Sequence, residues 1–484
     1  MSSSLTAVAR LLSLVYGLLM MGLTHSSAVA PSARPNVVVI IADDMNDYGF
    51  LGAHPDAQTP RLDAFRRESL TFPRAYCPAP ACVPSRAAFL TGLNPQHTGA
   101  YLNGSDPWEK EGFEHFRSMP EIFRKSGYLT WGAGKVFHAK ISPARQQAAW
   151  DIDYGGNGGF EPYIPERSQI AGQDHGGSGK WWGAHAWTGP DTDFPDVRTV
   201  NQAREFLSTH PADPEKPYFM FVGLWRPHTP FTAPKRFFDL YDESALRQPP
   251  PGWQPGDLDD VPAEGRRLAG VWGQRWATSG QNHPESWRRI MQGYLACTSF
   301  ADWSIGEVID AIKARPDFEN TLIIVTSDNG YHVGEKNHYE KSTLWEMSAL
   351  TPMAVRLPGG AHAGKTSPRV VGLVDLMPTF EQICRLQPAG HAFDGRDISP
   401  LFRDPGLVWP FPALTVHNTQ SASFRDERWR YIRYPNGDEE LYDHLTDRHE
   451  WHNLADDPTH HAVLEHFRAL WPQRWAPTYG GRDG

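Results

Sequence analysis

The chain carries six short apolar runs, each bounded by turn-forming residues and separated from the next by a helix-compatible stretch. The runs cover residues 37–42, 129–131, 218–222, 322–326, 353–357 and 370–374. Unbroken apolar runs rich in Val and Ile are typical of strands that are buried on both faces of a sheet. The pattern predicts an α/β fold with a large mixed, mostly parallel sheet sandwiched by helices.

The pattern changes after about residue 385. Alternating segments at residues 430–434 and 440–442 flank the turn Pro435-Asn436-Gly437, which predicts a β-hairpin. An amphipathic helix is predicted at about residues 460–471. We therefore expect a large α/β domain at residues 31–385 and, at residues 386–484, an α+β subdomain with a small antiparallel sheet and a helix.

The stretch at residues 141–199 loses this regularity and is rich in Gly, Pro and acidic residues. Six tryptophans lie between Trp108 and Trp187, which argues against disorder. They could line a sugar pocket, or they could form a small core within a loop, and the sequence favours neither interpretation.

The first thirty residues have the pattern of a secretory signal peptide. Arg10 precedes an apolar run at residues 11–23, and Ala28-Val29-Ala30 forms a small-residue cleavage site. A membrane anchor is the weaker alternative, because the apolar run is shorter than the roughly 18 residues that span a bilayer. We expect export to a periplasmic, extracellular or lysosome-like compartment, depending on the host, and no membrane attachment after signal removal.

Charge and cysteine content narrow the function further. The formal net charge of -10 argues against a nucleic acid or an anionic membrane as partner, because both favour a basic surface. Four cysteines in 484 residues are too few for a disulfide-built scaffold. A local disulfide between Cys77 and Cys82 is one interpretation of that pair, and separate chemistry at Cys82 is the other.

Polar side chains follow four of the predicted strands. Because the carboxyl ends of parallel strands meet at one edge of a sheet, we expect these residues to share a site. They are Asp43 and Asp44 after the first strand, Lys135 and His138 after the second, His228 after the third, and Asp328 and Asn329 after the fourth. An Asp pair at a strand end is more often a turn or a cap when it stands alone. Two oxygen-bearing pairs in one chain, together with the cysteine segment at residues 82–86, favour a site for a hard divalent cation instead.

A short helix is predicted directly after Cys82. In the segment Cys82-Val83-Pro84-Ser85-Arg86, Pro84 suits the first helical position, and Gly92 suits the helix end. The amides at a helix N-terminus favour an anion beside residue 82. Arg86, one turn along, could bind the oxygens of that anion or hold the nucleophile.

These residues resemble the sulfatase family, whose motif C-x-P-S-R with a downstream L-T-G is matched by Cys82, Pro84, Ser85, Arg86 and residues 90–92. The resemblance implies an alkaline-phosphatase-like fold, with residues 31–385 as the catalytic domain. It also implies that a maturation enzyme converts Cys82 to formylglycine, whose hydrated form attacks sulfur. One Ca²⁺ would be held by Asp43, Asp44, Asp328 and Asn329.

The resemblance also implies roles for the basic residues. Lys135 and Lys341 would bind the sulfate and stabilise the leaving group. His138 would act as the base in the elimination step, and His228 would lie near the ester oxygen as the acid, a role that suits a pKa near neutrality.

The segments at residues 134–138 and 227–231 are most similar to iduronate-2-sulfatases and their bacterial relatives. The chain departs from the mammalian members at Asn329, where they have His. The implied substrate is a sulfated carbohydrate. Two alternatives stay open: a formylglycine-dependent phosphonate or phosphodiester hydrolase, and an exported carbohydrate-binding protein that has lost catalysis.

Overall fold

The computed structural model describes residues 34–104, 107–138, 141–170, 179–270 and 273–478. The predicted signal peptide, residues 1–30, lies outside these described residues. Within them, no helix is both long enough and apolar enough to cross a membrane.

The strands fall into one large sheet and several small ones. Their bounds are β1 Asn36–Asp43, β2 Leu70–Phe72, β3 Ala75–Tyr76, β4 Leu129–Gly134, β5 Ile152–Asp153, β6 Ala184–Trp187, β7 Tyr218–Pro227, β8 Phe231–Pro234, β9 Thr321–Ser327, β10 His332–Val333, β11 Tyr339–Glu340, β12 Met353–Arg356, β13 Val371–Gly372, β14 Ala413–Asn418, β15 Ser421–Arg425, β16 Trp429–Arg433 and β17 Glu439–Asp443. The large sheet has the order β2-β12-β9-β1-β7-β4-β5. Its centre is parallel, and β12 pairs antiparallel with both β9 and β2. This confirms the predicted α/β fold with a mixed, mostly parallel sheet.

The helices cover both faces of that sheet and the loops at its edge. Their bounds are α1 Asp47–Phe50, α2 Pro60–Arg67, α3 Cys82–Thr91, α4 Pro95–Thr98, α5 Met119–Lys125, α6 Pro143–Ala149, α7 Pro195–Thr209, α8 Lys235–Phe238, α9 Ala263–Ala269, α10 Gly273–Ser279, α11 Pro284–Lys313, α12 Glu346–Ala349, α13 Leu376–Ile383, α14 Ser399–Arg403 and α15 His461–Leu470.

Strand β1 explains why the sheet lies in the middle of the molecule. All eight of its residues are buried, and successive side chains point to opposite faces. Val37, Val39 and Ile41 join one hydrophobic cluster, which also contains Phe89 of α3. Val38 and Ile40 join a second cluster on the other face, with side chains of α11. A strand with two apolar faces is stable only where both faces are covered.

The C-terminal segment forms the predicted antiparallel sheet with a helix. Strands β14, β15, β16 and β17 pair in chain order. Helix α15 packs on this sheet through Phe467, whose ring stacks on Tyr431 at 5.5 Å and on Phe424 at 6.2 Å. The fold class is confirmed for this part as well, while the domain boundary near residue 385 stays a prediction.

Three details differ from the sequence expectations. The apolar run at residues 370–374 contributes only β13, which pairs with β3 in a separate two-stranded sheet, because the run turns into a helical segment at Leu373–Asp375. The irregular stretch at residues 141–199 contains α6, β5, β6 and the start of α7. Helix α3 begins at Cys82, two residues before Pro84.

Candidate active site

The carboxyl ends of β1 and β9 bring two oxygen-bearing pairs together. Asp43 is the last residue of β1, and Asp328 follows directly after its parallel neighbour β9. The backbone N–H of Asp44 donates to Asp328 Oδ1 at 3.3 Å, and Asn329 Nδ2 donates to Asp44 Oδ1 at 2.7 Å. Asp44 has a φ of 64°, so the chain leaves β1 in a left-handed conformation that a residue other than Gly adopts uncommonly.

Helix α3 places Cys82 against these carboxylates. Cys82 is the first residue of the helix and is fully buried, and its Sγ lies 3.3 Å from Asp43 Oδ1. The helix is held at this position by Ser85, whose hydroxyl donates to the backbone oxygen of Asp328 at 2.5 Å. The exposed Asn103 accepts the backbone N–H of Val83 through its side-chain oxygen at 3.0 Å. Residue 82 therefore lies where a helix N-terminus meets the strand ends.

The oxygen atoms of this group fit a hard divalent cation. One carboxylate oxygen each from Asp43, Asp44 and Asp328 and the sulfur of Cys82 lie within 4.8 Å of one another. Asn329 Oδ1 is buried and has no hydrogen-bond partner among the described residues. A buried carbonyl oxygen without a partner is costly unless it binds a ligand. Oxygen donors of this kind are the ones that Ca²⁺ and Mg²⁺ bind in proteins.

Three buried cations surround the same carboxylates. Lys341 Nζ lies 2.6 Å from both carboxylate oxygens of Asp44, and Lys135 Nζ pairs with Asp43 Oδ2. Arg86 Nε donates to Asp328 Oδ2 at 2.8 Å, and its Nη1 donates to the backbone oxygens of residues 135 and 136. Each carboxylate thus has its own cation, which offsets part of the cost of burying charge.

Burial raises the pKa of two of the three carboxyl groups, whereas neighbouring cations lower that of the third. Burial, followed by the charge of Asp328, raises the pKa of Asp43 to about 7. Burial likewise raises the pKa of Asp44, although Lys341 opposes the change. Burial would also raise the pKa of Asp328, but Arg86 and then Lys135 outweigh it and hold that pKa at about 2. Asp328 is therefore the carboxylate that stays ionised throughout the neutral range.

Two predicted histidines lie at the same edge of the sheet. His228 Nε2 is 3.5 Å from Asp44 Oδ2, and its Nδ1 faces the backbone oxygen of Thr229. Burial, then the charges of Lys341 and Lys135, hold the pKa of His228 well below its usual value. Burial and the charge of Lys135 do the same for His138. Because the pKa of each ring is lowered, the imidazoles of His138 and His228 are both neutral at pH 7.

Two aromatic residues that the sequence analysis did not single out form a wall beside the cations. Lys135 Nζ lies 5.2 Å from the ring centre of Phe160 and 5.3 Å from that of Trp225, distances that allow cation–π attraction. Both rings also lie 6.0 Å from the ring of His138, and Phe160 is 4.5 Å from His228. Phe160 and Trp225 therefore pack against both a cation and a histidine of the predicted site.

The structure brings the ten predicted site residues to one edge of the large sheet. Their catalytic and metal-binding roles stay predictions, because geometry alone assigns none of them. Cys77 and Cys82 form no disulfide, since Cys77 Sγ lies against the backbone oxygen of Ser348 at 3.6 Å. Trp225 could have been found from sequence, since it stands three residues before His228 in the same strand end. Phe160 stands in an irregular segment with no pattern that marks it. Asn103 belongs to the glycosylation sequon Asn103-Gly104-Ser105, a pattern that does not indicate a place beside residue 82.

Two family models and several sequence relatives match most of the chain. A family model described as Sulfatase matches residues 35–383, and one described as N-sulphoglucosamine sulphohydrolase, C-terminal, matches residues 334–473. A sulfatase of Formosa agariphila is 33% identical over 459 residues, which cover 91% of this chain and 87% of that protein. Iduronate 2-sulfatase of Mus musculus is 29% identical over 397 residues, which cover 78% of this chain and 68% of that protein.

The fold is also similar to solved structures. The phosphonate monoester hydrolase of Agrobacterium radiobacter superposes with a TM-score of 0.72 at 19% sequence identity, and the match covers 90% of this chain and 95% of that one. At this identity the likeness shows a shared architecture only.

Proposed function

This chain belongs to the sulfatase family, whose members hydrolyse sulfate esters, and we propose that it removes an O-sulfate from a sulfated sugar. We propose further that formylglycine made from Cys82 is the nucleophile and that one Ca²⁺ is bound beside it. The observation that carries this proposal is the position of Cys82, at a buried helix N-terminus within 3.3 Å of Asp43 and among three cations.

The ion would be held by Asp43, Asp44, Asp328 and Asn329. Support comes from the convergence of their oxygens and from the buried, unpartnered Oδ1 of Asn329. When bound, Ca²⁺ would supply positive charge next to the sulfuryl oxygens. The ion would also lower the pKa of Asp43 and Asp44, because a nearby positive charge favours the ionised carboxylate.

Three side chains orient the reacting groups in this proposal. Lys135 and Lys341 carry ammonium groups next to residue 82, where they can bind sulfuryl oxygens and the ester oxygen that leaves. Arg86 holds Asp328 and the backbone at residues 135 and 136. Its Nη2 is buried without a hydrogen-bond partner among the described residues, so the two N–H bonds of that nitrogen are available to an anion at residue 82.

His138 and His228 transfer protons in this proposal. A hydrated formylglycine at residue 82 would supply the hydroxyl that attacks sulfur. His138 would then accept the proton of the second hydroxyl while the aldehyde re-forms and the bond from its carbon to the sulfate oxygen breaks, which releases sulfate. This role requires the neutral imidazole that the lowered pKa of His138 provides. His228 would protonate the departing ester oxygen from Nε2. An anionic sulfate ester next to that ring raises its pKa again, so substrate binding itself favours the protonated form.

The finer proposals concern substrate and location. Iduronate 2-O-sulfate is the first sugar to assay, because residues 134–138 and 227–231 resemble iduronate-2-sulfatases and a relative of that name is 29% identical. We also propose export through the signal peptide at residues 1–30 and action of a formylglycine-generating enzyme on Cys82. The substrate partner is then a sulfated carbohydrate outside the cytoplasm.

The test is sulfate release from a panel of sulfated sugars and one aryl sulfate, with two cysteine variants. Cys82→Ala removes the source of the nucleophile and should abolish turnover. Cys297→Ala is the matched control, because it removes another fully buried thiol, one that lies against the backbone oxygen of Thr232. Full turnover by the Cys82→Ala protein would refute the proposal. Faster hydrolysis of an aryl phosphonate than of the aryl sulfate would favour the phosphonate alternative.

A further inference from the structure

Lys341, one of the predicted sulfate-binding residues, stands in a strained stretch of backbone. The residues on either side of it, Glu340 and Ser342, have φ angles of 80° and 74°, a left-handed conformation that residues other than Gly adopt uncommonly. Such a conformation persists only where surrounding contacts hold it in place. One contact is the backbone N–H of Ser342, which donates to the backbone oxygen of Pro80 at 3.0 Å. A second contact to this backbone comes from His338.

The imidazole of His338 joins the Lys341 backbone to the end of helix α9. His338 is fully buried. Its Nε2 lies 2.9 Å from the backbone oxygen of Lys341, and its Nδ1 lies 2.8 Å from the backbone oxygen of Ala269, the last residue of α9. Carbonyl oxygens accept hydrogen bonds and cannot donate them. Both ring nitrogens therefore need a hydrogen to bond these partners, and only the protonated imidazolium carries two.

His332, the neighbour of His338, has a different pair of partners. The two rings lie edge to face with their centres 5.1 Å apart, and both side chains are fully buried. His332 Nδ1 faces the backbone oxygen of Glu335 at 3.2 Å, but its Nε2 faces the hydroxyl of Thr343 at 2.9 Å. Because a hydroxyl can donate as well as accept, a neutral His332 satisfies both contacts. A neutral His338 can donate to only one of its two carbonyls.

The surroundings of His338 act on its protonation in opposite directions. Burial, the largest effect, lowers the pKa of His338, and the bonds to the two carbonyls oppose that change. The oxygen of Ala269 also stands at the C-terminal end of a helix, where a cation is stabilised by the helix dipole. Arg275 faces the ring and lowers its pKa as well, although Glu340 forms an ion pair with Arg275. His332 is the other titratable neighbour. His338 therefore gains its second proton on the acid side of the usual histidine range.

From this geometry we propose that His338 is a positioning residue for Lys341 and works as a proton-dependent latch. When it is protonated, His338 donates to both carbonyls and fixes the strained backbone of Lys341 against helix α9. When it is neutral, it bonds one carbonyl and repels the other, so the Lys341 ammonium is held less firmly beside Asp44 and residue 82. The inference rests on the proposed function, in which Lys341 binds sulfuryl oxygens, and adds a residue that acts through Lys341.

The first experiment compares the pH profile of kcat for one aryl sulfate between the unmodified protein and His338→Gln. A Gln side chain can donate to one of the carbonyls, but it does not titrate. The ratio of kcat in the unmodified protein to kcat in the variant should rise as pH falls from about 8 to about 5, towards the roughly tenfold effect of one hydrogen bond from a charged donor. A purely structural role for His338 would give a ratio that is constant with pH.

His332→Gln is the matched control. It removes a neighbouring buried imidazole whose two contacts are satisfied without a second proton. The corresponding ratio for His332→Gln should not change with pH. A constant ratio for His338→Gln, or the same pH trend in both variants, would overturn the latch.

Neutron diffraction from crystals of the unmodified protein tests the latch without relying on a variant that folds. At about pH 5, both ring nitrogens of His338 should carry a hydrogen, while His332 should keep one nitrogen without a hydrogen. A His338 ring with one bare nitrogen at that pH would overturn the proposal. An unmodified protein that hydrolyses no sulfate ester would instead refute the proposed function, whereas the neutron result decides the protonation of His338 independently of activity.

Discussion

Replacing Arg86 by Lys keeps the charge at the centre of the site but removes the planar, multiply donating group. Arg86 is fully buried. Its Nε donates to Asp328 at 2.8 Å, and its Nη1 donates to the backbone oxygens of Lys135 and Val136. A lysine ammonium has three donors at one atom and cannot reach groups on both sides. The substitution therefore removes about two hydrogen bonds made by a charged donor.

Each such bond contributes about 1.5 kcal/mol or more to stability, so we expect Arg86→Lys to lower the free energy of unfolding by roughly 3 kcal/mol. Guanidinium unfolding followed by tryptophan fluorescence measures that loss. The variant should also lower kcat by roughly 100-fold, because the backbone that carries Lys135 and the carboxylate of Asp328 lose their support.

Arg356→Lys is the control that separates the loss of stability from the loss of kcat. Arg356 is also buried, its Nη1 donates to three backbone oxygens at 3.3 to 3.5 Å, and its Nη2 pairs with Glu319. It lies opposite Ile323 near the start of β9, at the end of the sheet away from the site. We expect a comparable loss of stability with kcat retained. An Arg86→Lys protein with unchanged stability and kcat would refute this reasoning.

Three further outcomes are expected. Replacing His228 by Ala should slow turnover of sugar sulfates far more than turnover of aryl sulfates, because a good leaving group needs little protonation; equal losses would remove His228 from the acid role. Chelation of divalent ions should lower activity, with recovery on adding Ca²⁺ and little change in circular dichroism, whereas full activity after exhaustive chelation would refute the ion site. Burial raises the pKa of Glu335 to about 8, so the folded state favours the protonated carboxyl, and its stabilising contribution is lost as pH rises from about 4.5 to about 8. Thermal unfolding of Glu335→Gln at pH 5, 6.5 and 8 should therefore show a smaller loss of stability towards high pH than the unmodified chain, and parallel curves would contradict the assignment.

The sheet was largely predictable because its strands are buried on both faces. Such strands are continuous apolar runs, and β1, β7 and β9 stand out in the sequence for that reason. The run at residues 370–374 was misplaced because a short apolar segment is equally compatible with a buried helix, and β13 in fact ends where a helical turn begins. Pairing partners, such as β3 for β13, depend on contacts between distant segments that no local pattern encodes.

The site was predictable in its residues and not in its geometry. Polar residues after apolar strands indicated Asp43 and Asp328, because the carboxyl ends of parallel strands meet at one edge. The burial and ion pairs that shift the pKa of each carboxyl group arise only in the folded chain, where Lys341 contacts Asp44 across a sequence separation of 297 residues. Phe160 had no sequence signal, since a single aromatic residue in a glycine-rich loop is as compatible with a loop core as with a site.

The mass of the peptide that contains residue 82, measured with the specific activity of the same sample, tests the account most directly. Samples produced with and without a formylglycine-generating enzyme should differ in the fraction of residue 82 that is aldehyde. We predict that sulfate release rises in proportion to that fraction and vanishes when it is zero. A sample that is entirely cysteine at position 82 and fully active would contradict the account.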